Sequence, residues 1–397
     1  MRMRSSQFRI LYVGPDYPGS NGTCWRDAFL ELGHEVRTVD SQKLIPPPKT
    51  LWGMTRQTLF GRPSSHGVAL LNDTIVREAR AFRPDMAFYV QARYVLPEVL
   101  HETSLYGPNL AYFNDDMFNP RNQSFTFFEG IKRINCILTT KSYNVSEFHS
   151  AGAPLAMYVS NAYDPKIHYP AKPSPEEKAY YEGDIAFLGT FRPVRADFLA
   201  KIAALTTGLR FNIWGGGWHK MDRFTYWHKK VAWRDLRSCV RMRELWCSAM
   251  GKAIQSNKII LGLLNHANRD LHTSRSFEIP ACGGFMLAER TAEHQQYFEE
   301  DKEAVYFGSI EELCDKIRYY MAHGTERLGI AKAGYERCLR SPYRYIDKAR
   351  LAIQQYERLR PTMSLHIARR EGAPLPHEAA DTLASDVVNA TRRRRLE

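Results

Sequence analysis

Asp270-Leu-His-Thr-Ser-Arg-Ser-Phe-Glu278-Ile-Pro-Ala-Cys-Gly283-Gly284-Phe-Met-Leu287 is the stretch on which the fold turns. Just upstream, Lys258-Ile-Ile-Leu-Gly-Leu-Leu264 is an apolar run of strand length, the pattern of a parallel strand buried on both faces. Thr273 or Ser274 suits a helix start, because a hydroxyl there accepts one of the orphan amide protons of the first turn. The glycine pair Gly283-Gly284 suits its end, and Phe285 to Ala288 reads as the next strand. Strand, loop, helix and strand make a β-α-β unit, whose ligands sit at the carboxyl ends of the strands. The expectation is that Asp270 projects from the loop into that crevice and that Glu278 lies about one turn into the helix. Amides at the Thr273–Ser274 helix start would add donors for an anion.

Working outward, the chain alternates strand and helix patterns throughout. In the first half, strands are expected at Phe8 to Gly14, Glu35 to Val39, Asp85 to Val90, Asn109 to Phe113, Cys136 to Thr140 and Leu155 to Val159. Helical patterns stand between them, as at Thr74 to Phe82 and Tyr143 to Ser150. Pro165-Lys-Ile-His-Tyr-Pro170-Ala-Lys-Pro173-Ser-Pro175 then interrupts, since prolines at that density support neither a helix nor a central strand. The pattern restarts with Asp184 to Gly189, Arg210 to Gly215, Ile259 to Leu264, Phe285 to Ala288 and Val305 to Phe307. Ile346, Ala349, Ile353 and Tyr356 recur at helical spacing near the end. The expected organisation is a Rossmann-like domain over 1–165, a second over 176–342, a helix over 343–360 and a disordered tail over 361–397.

A resemblance can be attached to these residues. The acid at 270, seven residues, Glu278 and then Ala281-x-Gly283 resemble the nucleotide-sugar site of retaining GT-B glycosyltransferases. Asp270 stands where that family usually has Glu. Arg275-x-Phe-Glu-x-x-Ala-x-Gly-Gly284 is similar to the spore-maturation (CgeB-like) branch, and the similarity runs on through Tyr306, Glu311, Ile317, Tyr319 and Ala331-x-Ala-Gly-Tyr335. The resemblance implies two Rossmann-like parallel sheets facing a cleft, an acceptor domain followed by a donor domain, and a terminal helix that crosses back to the first. It implies a metal-independent, retaining transfer of a sugar from a nucleotide-diphosphate donor to a hydroxyl acceptor. The donor is a substrate, and no cofactor is expected.

Such a transfer needs positive charge for the leaving diphosphate, carboxylates for ribose and sugar hydroxyls, and a group to receive the acceptor proton. Glu278 is the candidate for the ribose, since one carboxylate accepts from two neighbouring hydroxyls. Asp270 is the candidate for the transferred sugar or for charge growing at its anomeric carbon. Gly189-Thr-Phe-Arg192-Pro-Val-Arg195 leaves the first strand of the second domain, and Arg195 offers a forked donor to phosphate, with Arg275 and Lys258 as further cations. Trp214-Gly215-Gly-Gly-Trp218 either rims the cleft beside the base or is a plain tight turn. Gly14 opens a glycine loop after the first strand, without the spacing of a nicotinamide site. Asn114-Asp115-Asp116 ends a strand, so either acid could serve the acceptor proton or cap the next segment. No third ligand accompanies the pair, so no metal is expected.

The chain carries a formal charge of +12. Between Arg210 and Arg243, nine Lys or Arg face two acids, interleaved with Trp214, Trp218, Phe224, Tyr226, Trp227 and Trp233. Such a segment suits an anionic membrane surface, single-stranded nucleic acid, or merely a solvated face over an aromatic core. That leaves a second class of function open: a nucleic-acid-binding module, or an enzyme that glycosylates DNA bases. Seven dispersed cysteines without CxxC pairs and the lack of an apolar run of membrane length point to a cytoplasmic protein, either free or peripheral to a membrane. Donor sugar, acceptor and oligomeric state are not legible.

Overall fold

The computed structural model describes residues 7–45 and 65–371, with backbone alone over 361–371. Two sheets form, and every strand pair in both is parallel. The first has the order β2-β1-β3-β4-β5-β6, with β1 Arg9–Gly14, β2 Glu35–Asp40, β3 Met86–Val90, β4 Asn109–Phe113, β5 Cys136–Thr139 and β6 Ala156–Tyr158. The second has the order β11-β10-β9-β7-β8, with β7 Gly183–Leu188, β8 Phe211–Trp214, β9 Asn257–Gly262, β10 Met286–Glu289 and β11 Val305–Phe307. The chain is therefore an α/β protein with two doubly wound parallel sheets. Alternation along each strand divides the core. Ile10 and Tyr12 enter one cluster while Leu11 and Val13 enter another on the opposite face. Ile185 and Phe187 separate in the same way from Ala186 and Leu188.

The terminal helix runs Tyr345–Glu371, longer than the pattern suggests. Pro361 does not end it, so the helix takes up part of the stretch expected to be disordered; residues 372–397 lie outside the described residues. Tyr345, Ala349, Ala352, Ile353 and Tyr356 pack into the same cluster as Trp25 and Phe88 of the first domain. The helix thus starts beside the second domain and buries its apolar stripe on the first. Among the described residues no helix is long and apolar enough to cross a membrane. All seven cysteines are free.

The loop between β9 and the helix Arg275–Ala281 reaches across to the first domain. Arg269, at a positive φ of 47°, donates to Asp116 from Nε (2.7 Å) and from a terminal nitrogen (2.9 Å). It also pairs with Glu147 and stacks over the Tyr143 ring. Asn268 donates to Asp115 (2.8 Å), and Tyr143 donates to the Asn268 carbonyl (2.7 Å). The Asn161 amide donates to His272 (3.0 Å).

Candidate functional site

The two sheets direct their carboxyl ends at a shared cavity of about 490 Å³. Each sheet reverses strand order beside its first strand, and a doubly wound sheet opens a crevice at such a switch point. The first domain contributes Pro15, Gly19, Gln91 and Arg93, and the second contributes Trp246, Ser274, Arg275 and Glu278. A smaller lobe of about 270 Å³ continues between Gly189, Thr190, Gly215, Gly216, Glu244 and Arg275, and shares Tyr17, Trp246 and Arg275 with the larger one. Gly215 is needed there. Its φ is +147°, and an added Cβ would lie 2.1 Å from the Gly189 carbonyl oxygen.

Glu278 is buried at the wall of this cavity. The Arg275 guanidinium, one helical turn earlier, donates to its Oε2, and Arg275 Nε donates to the Leu188 carbonyl at the end of β7 (3.1 Å). His168 accepts at Nδ1 from the Asp164 amide (2.9 Å). That leaves its proton on Nε2, which faces Glu278 Oε1 at 3.6 Å. Burial alone would raise the Glu278 carboxyl, but Arg275 and His168 hold it below the ordinary range, so it is ionised. A carboxylate has about four lone-pair directions, so capacity remains for hydroxyls arriving in the cavity.

Other expected residues lie elsewhere. Asp270 is buried and does not line the cavity; the Lys141 ammonium of the first domain donates to it at 2.6 Å, and its other oxygen accepts from the Asn265 amide. Asp116 is likewise buried, with both oxygens taken by Arg269, whereas Asp115 bonds Gln91 (2.8 Å) and Asn268, pairs with Arg93 (3.8 Å) and stays partly exposed without lining the cavity. Lys258 stands at the amino end of β9, the far end from the cavity, paired with Asp184 (2.8 Å). Its place before the strand's apolar run was itself the warning. Arg195 does not reach the cavity with its head. It donates to the Thr190 and Leu264 carbonyls and lies over the Phe187 ring, with Nε unpartnered. Burial, with Arg192 nearby, brings its guanidinium down to about 10. The helix at Arg275 has no side-chain cap: Ser274 is itself helical and faces the cavity, while the Thr273 amide is satisfied by Ser276 Oγ (3.0 Å). Gly14 serves packing, since a Cβ there would strike Tyr12 and Val90.

Residues 192–354 match the family model described as Glycosyl transferase-like. No curated protein matches the chain by sequence. Among solved structures, sucrose-phosphate synthase from Thermosynechococcus elongatus is similar at a TM-score of 0.62 and 10% identity, over 89% of this chain and 99% of that one. A trehalose 6-phosphate synthase from Burkholderia multivorans is similar at 0.61 and 11%, over 91% and 98%. Anabaena HepE in complex with UDP and glucose is similar at 0.58 and 13%, over 89% and 100%. At such identities the structural likeness establishes the fold, and the family match covers most of the second domain and the start of the terminal helix. The chain has the GT-B fold, and its second domain matches the glycosyltransferase-like family model.

The cleft also holds residues that the sequence did not single out. Trp246 stands against Tyr17 of the first domain, edge to face at 5.8 Å, so the two rings meet across the mouth between the lobes. His168 lies inside the proline-rich stretch read as a linker, and Lys141 follows β5 as an ordinary surface residue would. The one available signal was Trp246 itself, an aromatic close behind Arg243 and Glu244 at the end of the basic aromatic segment.

Proposed function

We propose that the cavity binds a nucleoside-diphosphate sugar, with its ribose hydroxyls on Glu278 and its diphosphate on Arg275. The base occupies the smaller lobe, between the Gly189 and Gly215 turns and the Trp246 ring. The observation that carries this reading is the buried, ionised Glu278 held by Arg275 and His168 at the wall of the interdomain cavity. Arg195 lies behind it as a cation without a carboxylate partner among the described residues, so an anion bound nearby would offset its burial. Metal independence follows in this reading from arginines carrying the diphosphate charge. Retention at the anomeric carbon rests on the Asp270-to-Glu278 spacing, and the Arg275–Gly284 run supports the spore-maturation-like branch. The acceptor hydroxyl enters along the first-domain wall, and in this reading Asp115, partly exposed and bonded to the cavity-lining Gln91, is the carboxylate that takes its proton. Asp116 is released from that role by its bonds to Arg269.

The test is calorimetric titration with UDP and UDP-glucose, ligands suggested by the HepE complexes. Glu278→Ala should bind more weakly by about 1–3 kcal/mol, the usual loss for hydrogen bonds to a charged group. Unchanged affinity in a folded variant would take Glu278 out of the site.

A further inference from the structure

The basic aromatic segment of the second domain is divided by the fold into a buried base and an exposed strip. Trp218, Met221, Trp233 and Leu236 enter the domain core. Tyr226 packs edge-on to Phe191 at 5.8 Å, and Asp197 accepts from both Lys229 (3.0 Å) and Trp233 Nε1 (2.9 Å). Above this base Phe224 is 87% exposed, Trp227 61% and Val231 86%. Large apolar side chains left in water on an anchored segment mark a surface that meets an apolar partner. Cations surround them. Lys229, Arg234 and Arg237 have carboxylate partners, but Lys220, Arg223 and Lys230 meet none within ion-pair distance among the described residues.

We infer that Phe224, Trp227 and Val231, flanked by Lys220, Arg223 and Lys230, dock this enzyme on an anionic phospholipid surface. Aromatic and aliphatic groups entering the headgroup boundary, with lysine and arginine at its rim, is the chemistry of interfacial binding. Single-stranded nucleic acid suits the strip less well, because Val231 has no ring on which a base can stack, yet it is as exposed as Phe224. A second copy is disfavoured too, since a two-fold contact would set the same unpaired cations against each other. The segment leads directly into Glu244 and Trp246 at the cavity, so docking would hold the cleft near the lipid surface.

Sedimentation of the full chain with vesicles tests this. Wild type should pellet with phosphatidylcholine vesicles containing phosphatidylglycerol and not with phosphatidylcholine alone, and more weakly as salt rises. Phe224→Ser/Trp227→Ser/Val231→Ser should bind roughly tenfold or more weakly, with an unchanged melting temperature. Replacing Lys220, Arg223 and Lys230 by Gln should also weaken binding by roughly tenfold or more. Failure of wild type to pellet with the anionic vesicles at low salt would overturn the inference. So would an apolar variant that binds vesicles as wild type does while both bind a single-stranded polynucleotide, or a vesicle-free dimer that the apolar variant abolishes. Melting shifts with UDP, measured on the same variants, report donor binding separately.

Discussion

Asp270 shows how far a residue's neighbours can redirect its meaning. Its sequence position sets it ahead of the helix that bears Glu278, yet its carboxylate is spent on Lys141, and both side chains are buried. Burial pushes the Asp270 carboxyl up while Lys141 pulls it down. Removing one partner of such a pair strands the other charge in a low-dielectric setting. Asp270→Asn should therefore lose about 3–5 kcal/mol of unfolding free energy in denaturant titrations, and Asp270→Asn/Lys141→Met should recover much of it. If Asp270→Asn instead keeps wild-type stability and loses only turnover, the carboxylate acts on the sugar and its bond to Lys141 is incidental. Glu278 had the opposite outcome. The spacing that singled it out survives in three dimensions, because Arg275 one turn earlier belongs to the same helix and moves with it.

At the scale of the element, the helix Arg275–Ala281 is short, uncapped by a side chain and interrupted by Pro280. Propensity gives it little, and it persists because Ser276 through Ala281 are all buried. His294 pins its start. His294 Nδ1 donates to the Glu289 carbonyl (2.6 Å), so Nε2 accepts from Ser276 Oγ (2.7 Å), and the ring stacks on Tyr306. Burial brings this imidazole down to about 4 from its ordinary 6.5, so the folded state holds it neutral. The unfolded chain binds the proton more readily. The contribution is thus complete above about pH 6.5 and is lost as pH falls toward 4, up to about 3 kcal/mol for this group. His168 and His272, also lowered chiefly by burial, act in the same direction. Melting temperature should fall between pH 7 and 5, and less steeply in His294→Gln; a flat profile in wild type would count against a neutral buried His294.

For the whole molecule, the terminal helix and the 265–272 loop join two sheets that share no strand. Deleting everything after Arg344 removes Tyr345, Ala349, Ala352, Ile353 and Tyr356 from the first-domain core. The larger of these contribute roughly 1.5–3 kcal/mol each, against a typical total stability of about 5–15 kcal/mol. The truncated chain should lose its cooperative transition in circular dichroism. A transition at the wild-type midpoint would mean that the first domain closes its core without the helix.

By itself the sequence determined the strands, because most of these parallel strands are buried on both faces and announce themselves as apolar runs, the edge strand β2 being the polar exception: each expected strand formed within a residue or two. It also placed Glu278 and Arg275 on one short helix, although it offered them separate roles and the structure pairs them. Only the tertiary structure decided which charges face the cavity. Asp116 and Asp270 read in the sequence as candidates for the cleft, and they are ion-paired to Arg269 and Lys141 because loops distant in the chain close on one another. The helix runs on past Pro361, into the stretch expected to be disordered. Ile353 and Tyr356 had already fixed the helix on the first domain, and contacts made at a distance outweighed the local preference at its end.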